Sequence, residues 1–242
     1  MQTHYERQLA PLYTWMIGDV DAALGRSRNL LIEAGAGQGE GALAVDLGCG
    51  FGLHAIPLAD LGFEVLAFDL SSELLAELER RRGDRRIRAL LTDLRGFRAS
   101  LTTPAGLVVC LGDTLTHLPD LESVDRLLID AAQSLVPGGT LILGFRDYVS
   151  APLQGAQRFI PVRSDPERIL TCFLEYRDRQ VEVTDLVHER EGDVWRLRAS
   201  SYFKLRLDPA WVTNRVVVAG FEIVRQTAER GMVTMVARRA GA

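Results

Sequence analysis

Residues 43–53, LAVDLGCGFGL, decide the fold. Leu43, Ala44, Val45 and Leu47 form a short apolar run broken only by Asp46, and such a run bounded by glycine predicts a buried parallel strand. Gly48, Gly50 and Gly52 remove three Cβ atoms at alternate positions, so the chain can turn sharply and a ligand can lie against bare backbone. A helix is expected next, with Leu53, Ile56, Leu58, Ala59 and Leu61 as its apolar face. It leaves at Gly62 for a second strand over 63–68 that ends on Asp69. Together these make the first half of a nucleotide-binding βαβ unit, with an acid where a ribose diol needs an acceptor.

The glycine spacing narrows the nucleotide. Counted from Gly48, a G-x-G-x-x-G fingerprint fails, because Leu53 stands at the third position. Counted from Gly50, the series Gly50, Gly52 and Ala55 fits the permitted G-x-G-x-x-A variant, which keeps an NAD(P)-dependent oxidoreductase as the alternative. Against it, the chain has no Tyr-x-x-x-Lys pair and a single lysine, Lys204.

Composition sets the outer bounds. A chain of 242 residues can bury a core without disulfide staples, and 47% hydrophobic with 25% charged residues is ordinary globular composition. The formal net charge of −4 argues against a general polyanion binder, and hence against a nucleic-acid partner. No apolar run reaches membrane-spanning length, and MQTHYERQLAPLYTW lacks the basic and apolar blocks of a secretory signal, so a cytoplasmic location is expected. Cys49, Cys110 and Cys172 are far apart in apolar runs, which suggests buried thiols, not a disulfide framework or a metal site.

Residues 1–17 carry Tyr5, Leu9, Leu12, Tyr13, Trp15, Met16 and Ile17 at amphipathic spacing, and Asp19 can cap a second helix over 20–34. These helices, within a cap over 1–36, either pack only, or cover a cofactor through Tyr13 and Trp15. Glu33 to Ala42 is a glycine-rich linker. Ser71 or Ser72 caps a helix whose last turn bears Arg80, Arg81 and Arg82, where positive charge suits the helix dipole. A third strand over 86–91 ends at Asp93, which suits either a binding role or an Asx-turn.

A fourth strand, 106–111, breaks at Gly112 into DTLTHLPD, placing polar side chains at the carboxyl edge of the sheet, where open α/β folds bind ligands. A helix over 122–135 and the turn VPGG lead to a fifth strand, 140–145. Helical periodicity then stops. Residues 150–207 show three β-type runs, 168–176, 181–188 and 194–207, which predict an antiparallel insertion. In the third run Trp195, Leu197, Ala199, Ser201, Phe203, Leu205 and Leu207 share the face expected to pack. Arg196, Arg198, Ser200, Tyr202, Lys204 and Arg206 share the face expected to be wet, or in part to line a pocket for an anionic substrate. A helix from Asp208 to Ala219 and a final pair of strands complete one Rossmann-like domain.

The pattern Asp46, Gly48, Gly50, Gly52 resembles motif I of the class I S-adenosylmethionine-dependent methyltransferases, and with the later motifs the resemblance runs over nearly the whole length. Three segments resemble the glycine N-methyltransferase-like small-molecule enzymes more narrowly: CLGDTLTHLPD at 110–120, FRDY at 145–148 and IPVRSD at 160–165.

The resemblance implies a seven-stranded sheet in the order 3-2-1-4-5-7-6 with its last strand antiparallel. It implies S-adenosylmethionine as cofactor, held by Asp46 and the loop residues Gly48, Cys49, Gly50 and Gly52. Asp69 and Leu70 would meet the ribose, Asp93 and Leu94 the adenine, and Leu111 the sulfonium. Arg146 matches an arginine that holds a substrate carboxylate, and the two-pronged guanidinium suits that task. Asp113 replaces the family's asparagine, which favours an acceptor amine paired with it. Methyl transfer from a sulfonium needs alignment and desolvation of a lone pair, not a metal, so a strong base is optional. Asp113, His117 and Tyr148 are the candidates to orient the nucleophile or take its proton. The expected reaction is methylation of an amine, less readily a hydroxyl, of a small molecule, with homo-oligomerisation open and no membrane partner. A module that binds the cofactor without turnover is the remaining alternative.

Overall fold

The computed structural model describes residues 10–37 and 39–241. Tyr5 and Leu9, counted into the first helix, lie outside the described residues. Helix α1 spans Ala10–Ile17 and α2 Val20–Glu33, the latter started by Asp19, whose carboxylate accepts the Ala22 amide. A parallel series follows: β1 Leu43–Leu47, α3 Ala55–Asp60, β2 Glu64–Asp69, α4 Ser72–Arg82, β3 Ile87–Leu91, β4 Ala105–Cys110, α5 Leu121–Ser134 and β5 Leu135–Arg146. Ser71 is the cap of α4, its hydroxyl accepting the Leu74 amide.

The sheet order is β10-β11-β5-β4-β1-β2-β3, with β11 (Met232–Arg239) antiparallel to both neighbours, β10 (Phe221–Glu229) and β5. Numbered within the sheet, this is the expected 3-2-1-4-5-7-6. The order reverses at β1, which pairs in parallel with β2 on one side and β4 on the other. A crevice therefore opens at the carboxyl end of β1, where no helix crosses. Two apolar clusters cover the faces of the sheet. One is built on Phe68, Phe97, Phe145 and α5 with α6 (Pro209–Val218), the other on Leu31, Leu58, Leu61 and Leu78.

The insertion is a separate antiparallel sheet of four strands in sequence order: β6 Phe159–Ser164, β7 Arg168–Tyr176, β8 Gln180–Glu191 and β9 Val194–Leu205. Three were expected; β6 escapes a pattern search because Pro161 interrupts it and most of its residues stay exposed. On β9 the second of the two alternatives holds for part of the strand, since Tyr202 and Lys204 line a cavity while Leu205 of the opposite face is buried as expected. Trp195, Leu197 and Phe203 are exposed, whereas Tyr202 is buried and Lys204 largely so. Amphipathic alternation fixes which residues share a face but not which face meets the cleft. Among the described residues no helix is long and apolar enough to cross a membrane.

Candidate active site

A cavity of about 470 Å³ lies between the carboxyl edge of the seven-stranded sheet, helix α1 and the inner face of the insertion. Its floor is the turn after β1. Only one of the three glycines leaves room beside its backbone for a further atom. A Cβ on Gly48 would collide with Thr114 at 2.4 Å and one on Gly52 with Leu78 at 2.4 Å, whereas one on Gly50 would come no closer than 3.8 Å to Leu74. Gly48 and Gly52 therefore serve close packing at positive φ, and Gly52 does not line the cavity.

Asp69 closes this turn. Its two oxygens accept the amides of Gly50 and Ser71, each at 2.8 Å. Burial raises its pKa even though those amides pull the other way. A carboxylate has lone pairs beyond these two bonds, so the same group can accept from a diol. Tyr13 lies above the turn, its ring tilted 59° against Phe51, and burial raises its phenol pKa. Leu70, Leu94, Cys49 and Leu111 complete this half of the cavity. Burial lifts the Cys49 thiol well above its ordinary range, so it lines the floor as an inert neutral group.

Besides Gly52, three expected cofactor residues do not line the cavity. Asp46 sits beneath the turn, fully buried; burial and then the Asp69 charge push its pKa up to about 8 against a smaller opposing pull from the Ala55 amide. Asp93 turns to Arg95, accepting its backbone amide at 2.9 Å and its guanidinium at 2.5 Å, which is the Asx-turn of the two alternatives. Trp15 points the other way along α1 and donates its indole N–H to Asp165 at 2.5 Å, with Arg168 4.8 Å from its ring.

The opposite half of the cavity is organised by Asp113. It has φ 72°, next to Gly112 at φ 67°, so two consecutive left-handed residues swing its carboxylate back under β5. Oδ1 accepts the Arg146 amide at 2.8 Å and the Thr116 hydroxyl at 2.9 Å. Oδ2 accepts the Tyr148 hydroxyl at 3.3 Å and the Lys204 ammonium at 2.6 Å. Burial alone would raise the Asp113 pKa, but the Lys204 charge overrides it and holds the group below the ordinary carboxylate range. Lys204 is correspondingly lifted well above the ordinary amine range despite its burial. The expected pairing of Asp113 with an acceptor amine is therefore corrected, because Lys204 occupies that position.

His117 stacks on Tyr202 with ring centres 5.6 Å apart and planes 14° apart. Burial pushes the Tyr148 phenol up to about 12, so it stays a hydrogen-bond donor across the physiological range. Arg146 lines the rim and donates to the Arg230 carbonyl at 3.4 Å. His54, given no role from sequence, also lines the cavity and shares a 2.7 Å hydrogen bond with Ser27; burial lowers its pKa to about 4. The insertion contributes Ile160, Val162, Cys172, Leu174, Val183, Asp185, Tyr202 and Lys204. Of these, Tyr202 and Lys204 stand on the strand face that the sequence left open as a pocket wall, and Ile160 and Val162 lie in the resembling segment IPVRSD.

Residues 44–139 match the family model described as "Methyltransferase domain". That segment is the methyltransferase-like part of the chain. It is similar to glycine/sarcosine N-methyltransferase of Halorhodospira halochloris, 33% identical over 107 residues, which are 43% of this chain and 40% of that protein. It is also similar to cypemycin N-terminal methyltransferase of Streptomyces sp, 33% identical over 151 residues, 56% of this chain and 60% of that protein. The chain thus spans about two fifths of the length of the glycine/sarcosine enzyme it matches. The CcbJ methyltransferase of Streptomyces caelestis shares the fold at a TM-score of 0.80 and 21% identity, each chain covered over its full length. The matched family segment ends at Gly139 and leaves out the insertion, so the part of the cavity wall that the insertion builds falls outside it.

Proposed function

We propose that the chain transfers a methyl group from S-adenosylmethionine to an amine of a small molecule, the acceptor entering between the two sheets. The observation that carries this is the single cavity wall on which the bare Gly50 backbone, the Asp69 carboxylate and Leu111 meet, facing side chains of the insertion. The residues fit the cofactor: Asp69 and Leu70 suit the ribose, Leu94 the adenine, Tyr13 a cover, and the turn at Gly48 to Gly50 the amino-acid end. When bound, the sulfonium supplies a methyl group already activated toward a nitrogen lone pair.

The chain's own residues have to desolvate and aim that lone pair. Lys204 and Tyr148 fix Asp113 so that the floor near Leu111 is rigid, and the backbone of Arg146 is tied to the same carboxylate. Arg146 at the rim suits a carboxylate on the acceptor. His117, held flat on Tyr202, is the side chain placed to take the proton released from the methylated nitrogen. The test is calorimetric titration with S-adenosylhomocysteine of the wild-type chain and of Asp69→Ala. Strong binding lost by about ten-fold or more in the variant is expected from removing a charged acceptor. Equal affinity of the two chains would move the ribose elsewhere and undo the assignment.

A further inference from the structure

His54 lines the cavity beside the glycine turn, and none of these roles uses it. It stands at the cap position of α3, yet its side chain makes no capping bond there. Instead its Nδ1 lies 2.7 Å from the hydroxyl of Ser27 on α2, and both side chains are buried. The direction of that bond follows from what each atom needs. Among the described residues the Ser27 hydroxyl has no other partner, so accepting from Nδ1 would leave its own proton buried without an acceptor. Ser27 therefore donates, Nδ1 accepts, and the proton of the neutral ring sits on Nε2. Burial, which lowers the His54 pKa to about 4, keeps the ring neutral. Nε2 makes no hydrogen bond among the described residues and is left as a donor at the cavity wall. The fixed cations of the cavity stand elsewhere: Arg146 is at the rim of the other half, and Lys204 is held by Asp113. An anion lying along the glycine turn thus depends on N–H donors to offset its loss of water.

We propose that His54 is a cofactor-binding residue whose Nε2–H donates to the carboxylate at the amino-acid end of S-adenosylmethionine, with Ser27 as the positioning residue that fixes its tautomer. A donor cannot take the ammonium of the same end, so the pair reads the carboxylate and not the amine. This inference rests on the methyltransferase assignment of the cavity and goes further by giving one group of the cofactor a side-chain partner that the glycine turn does not supply.

The test is calorimetric titration of the full chain with S-adenosylhomocysteine and with its decarboxylated analogue, S-adenosyl-3-thiopropylamine. The wild-type chain is expected to bind the first at least about ten-fold tighter, the scale of a hydrogen bond to a charged group. His54→Phe keeps a flat ring without a donor, and is expected to lower that ratio about ten-fold while binding the analogue as before. His54→Gln, which carries an N–H at similar reach, should restore part of the ratio. Ser27→Ala keeps the ring but frees its tautomer, and should lower the ratio by a smaller factor. Equal binding of the two ligands by the wild type, a ratio unchanged in His54→Phe, or loss of the analogue along with S-adenosylhomocysteine in that variant overturns the proposal. Should His54→Phe fail to fold, Ser27→Ala decides, and a ratio equal to that of the wild type overturns it. The titration also keeps the two inferences apart: failure of the wild type to bind S-adenosylhomocysteine sinks the methyltransferase assignment, whereas normal binding of it with no preference for the carboxylate sinks only the role of His54.

Discussion

Lys204 goes to a place where an amine on a long apolar stem is of use, reaching from the insertion across the cleft to Asp113. With side chains only 12% and 7% exposed, the pair is held by mutual charge in a site where either partner alone would be a buried ion. Lys204→Met should therefore destabilise the chain by about 3–5 kcal/mol, and the double variant with Asp113→Asn should recover much of that loss. Urea denaturation of the singles and the double checks it; additive losses would show that the pair does not act as a unit.

Asp46 gives a pH signature of the opposite kind. Its folded-state pKa is raised to about 8, so folding takes up a proton that the unfolded chain has released above the ordinary aspartate value. The stability it contributes is present at low pH and is lost as pH rises from about 4 through about 8, at up to about 1.4 kcal/mol per pH unit. Asp46→Asn has no such slope, so its stability relative to wild type should rise across that window. A difference between the two chains that stays constant with pH would mean that Asp46 is ionised in both states.

At the scale of elements, the βαβ series was legible because each of its signals is local: a strand bounded by glycine, a serine cap, an acid at a strand end. Asp69 could be placed on that basis, whereas Leu111 entered only through the family resemblance. The insertion was less legible, because an alternating strand reads the same with either face inward, and β9 turned Tyr202 and Lys204 to the cleft while leaving Phe203 outside. Helix α1 shows the same limit. Tyr13 and Trp15 lie two residues apart and so point to different sides; one covers the cleft and the other fastens the cover.

That fastening has two points. Thr14 donates to Glu77 on α4 at 2.6 Å, and Trp15 donates to Asp165 on the loop after β6. Trp15→Phe removes one hydrogen bond to a charged acceptor and keeps an aromatic face toward Arg168. Release of S-adenosylhomocysteine should accelerate about ten-fold, following the net worth of such a bond. Stopped-flow displacement measures it, and an unchanged rate would mean that α1 need not lift for the cofactor to leave.

For the whole molecule, the cavity is the place where the parallel sheet, the inserted sheet and α1 meet, joined by bonds that include Lys204 to Asp113, Trp15 to Asp165 and Thr14 to Glu77. A ligand that touches all three walls adds its binding energy to their association, because the unfolded chain offers it no site. S-adenosylhomocysteine at about one hundred times its dissociation constant is worth about 2.7 kcal/mol. For a chain of this length that corresponds to a rise in melting temperature of about 5–10 °C. NADPH at the same concentration should give none, since the glycine turn offers it only Gly50 as open backbone and Gly52 is filled from behind by Leu78. Differential scanning calorimetry with each nucleotide decides between them. A shift from NADPH alone would return the cleft to the oxidoreductases despite the sheet order, because the strand arrangement fixes where a nucleotide lies and only the turn and its acid select which one.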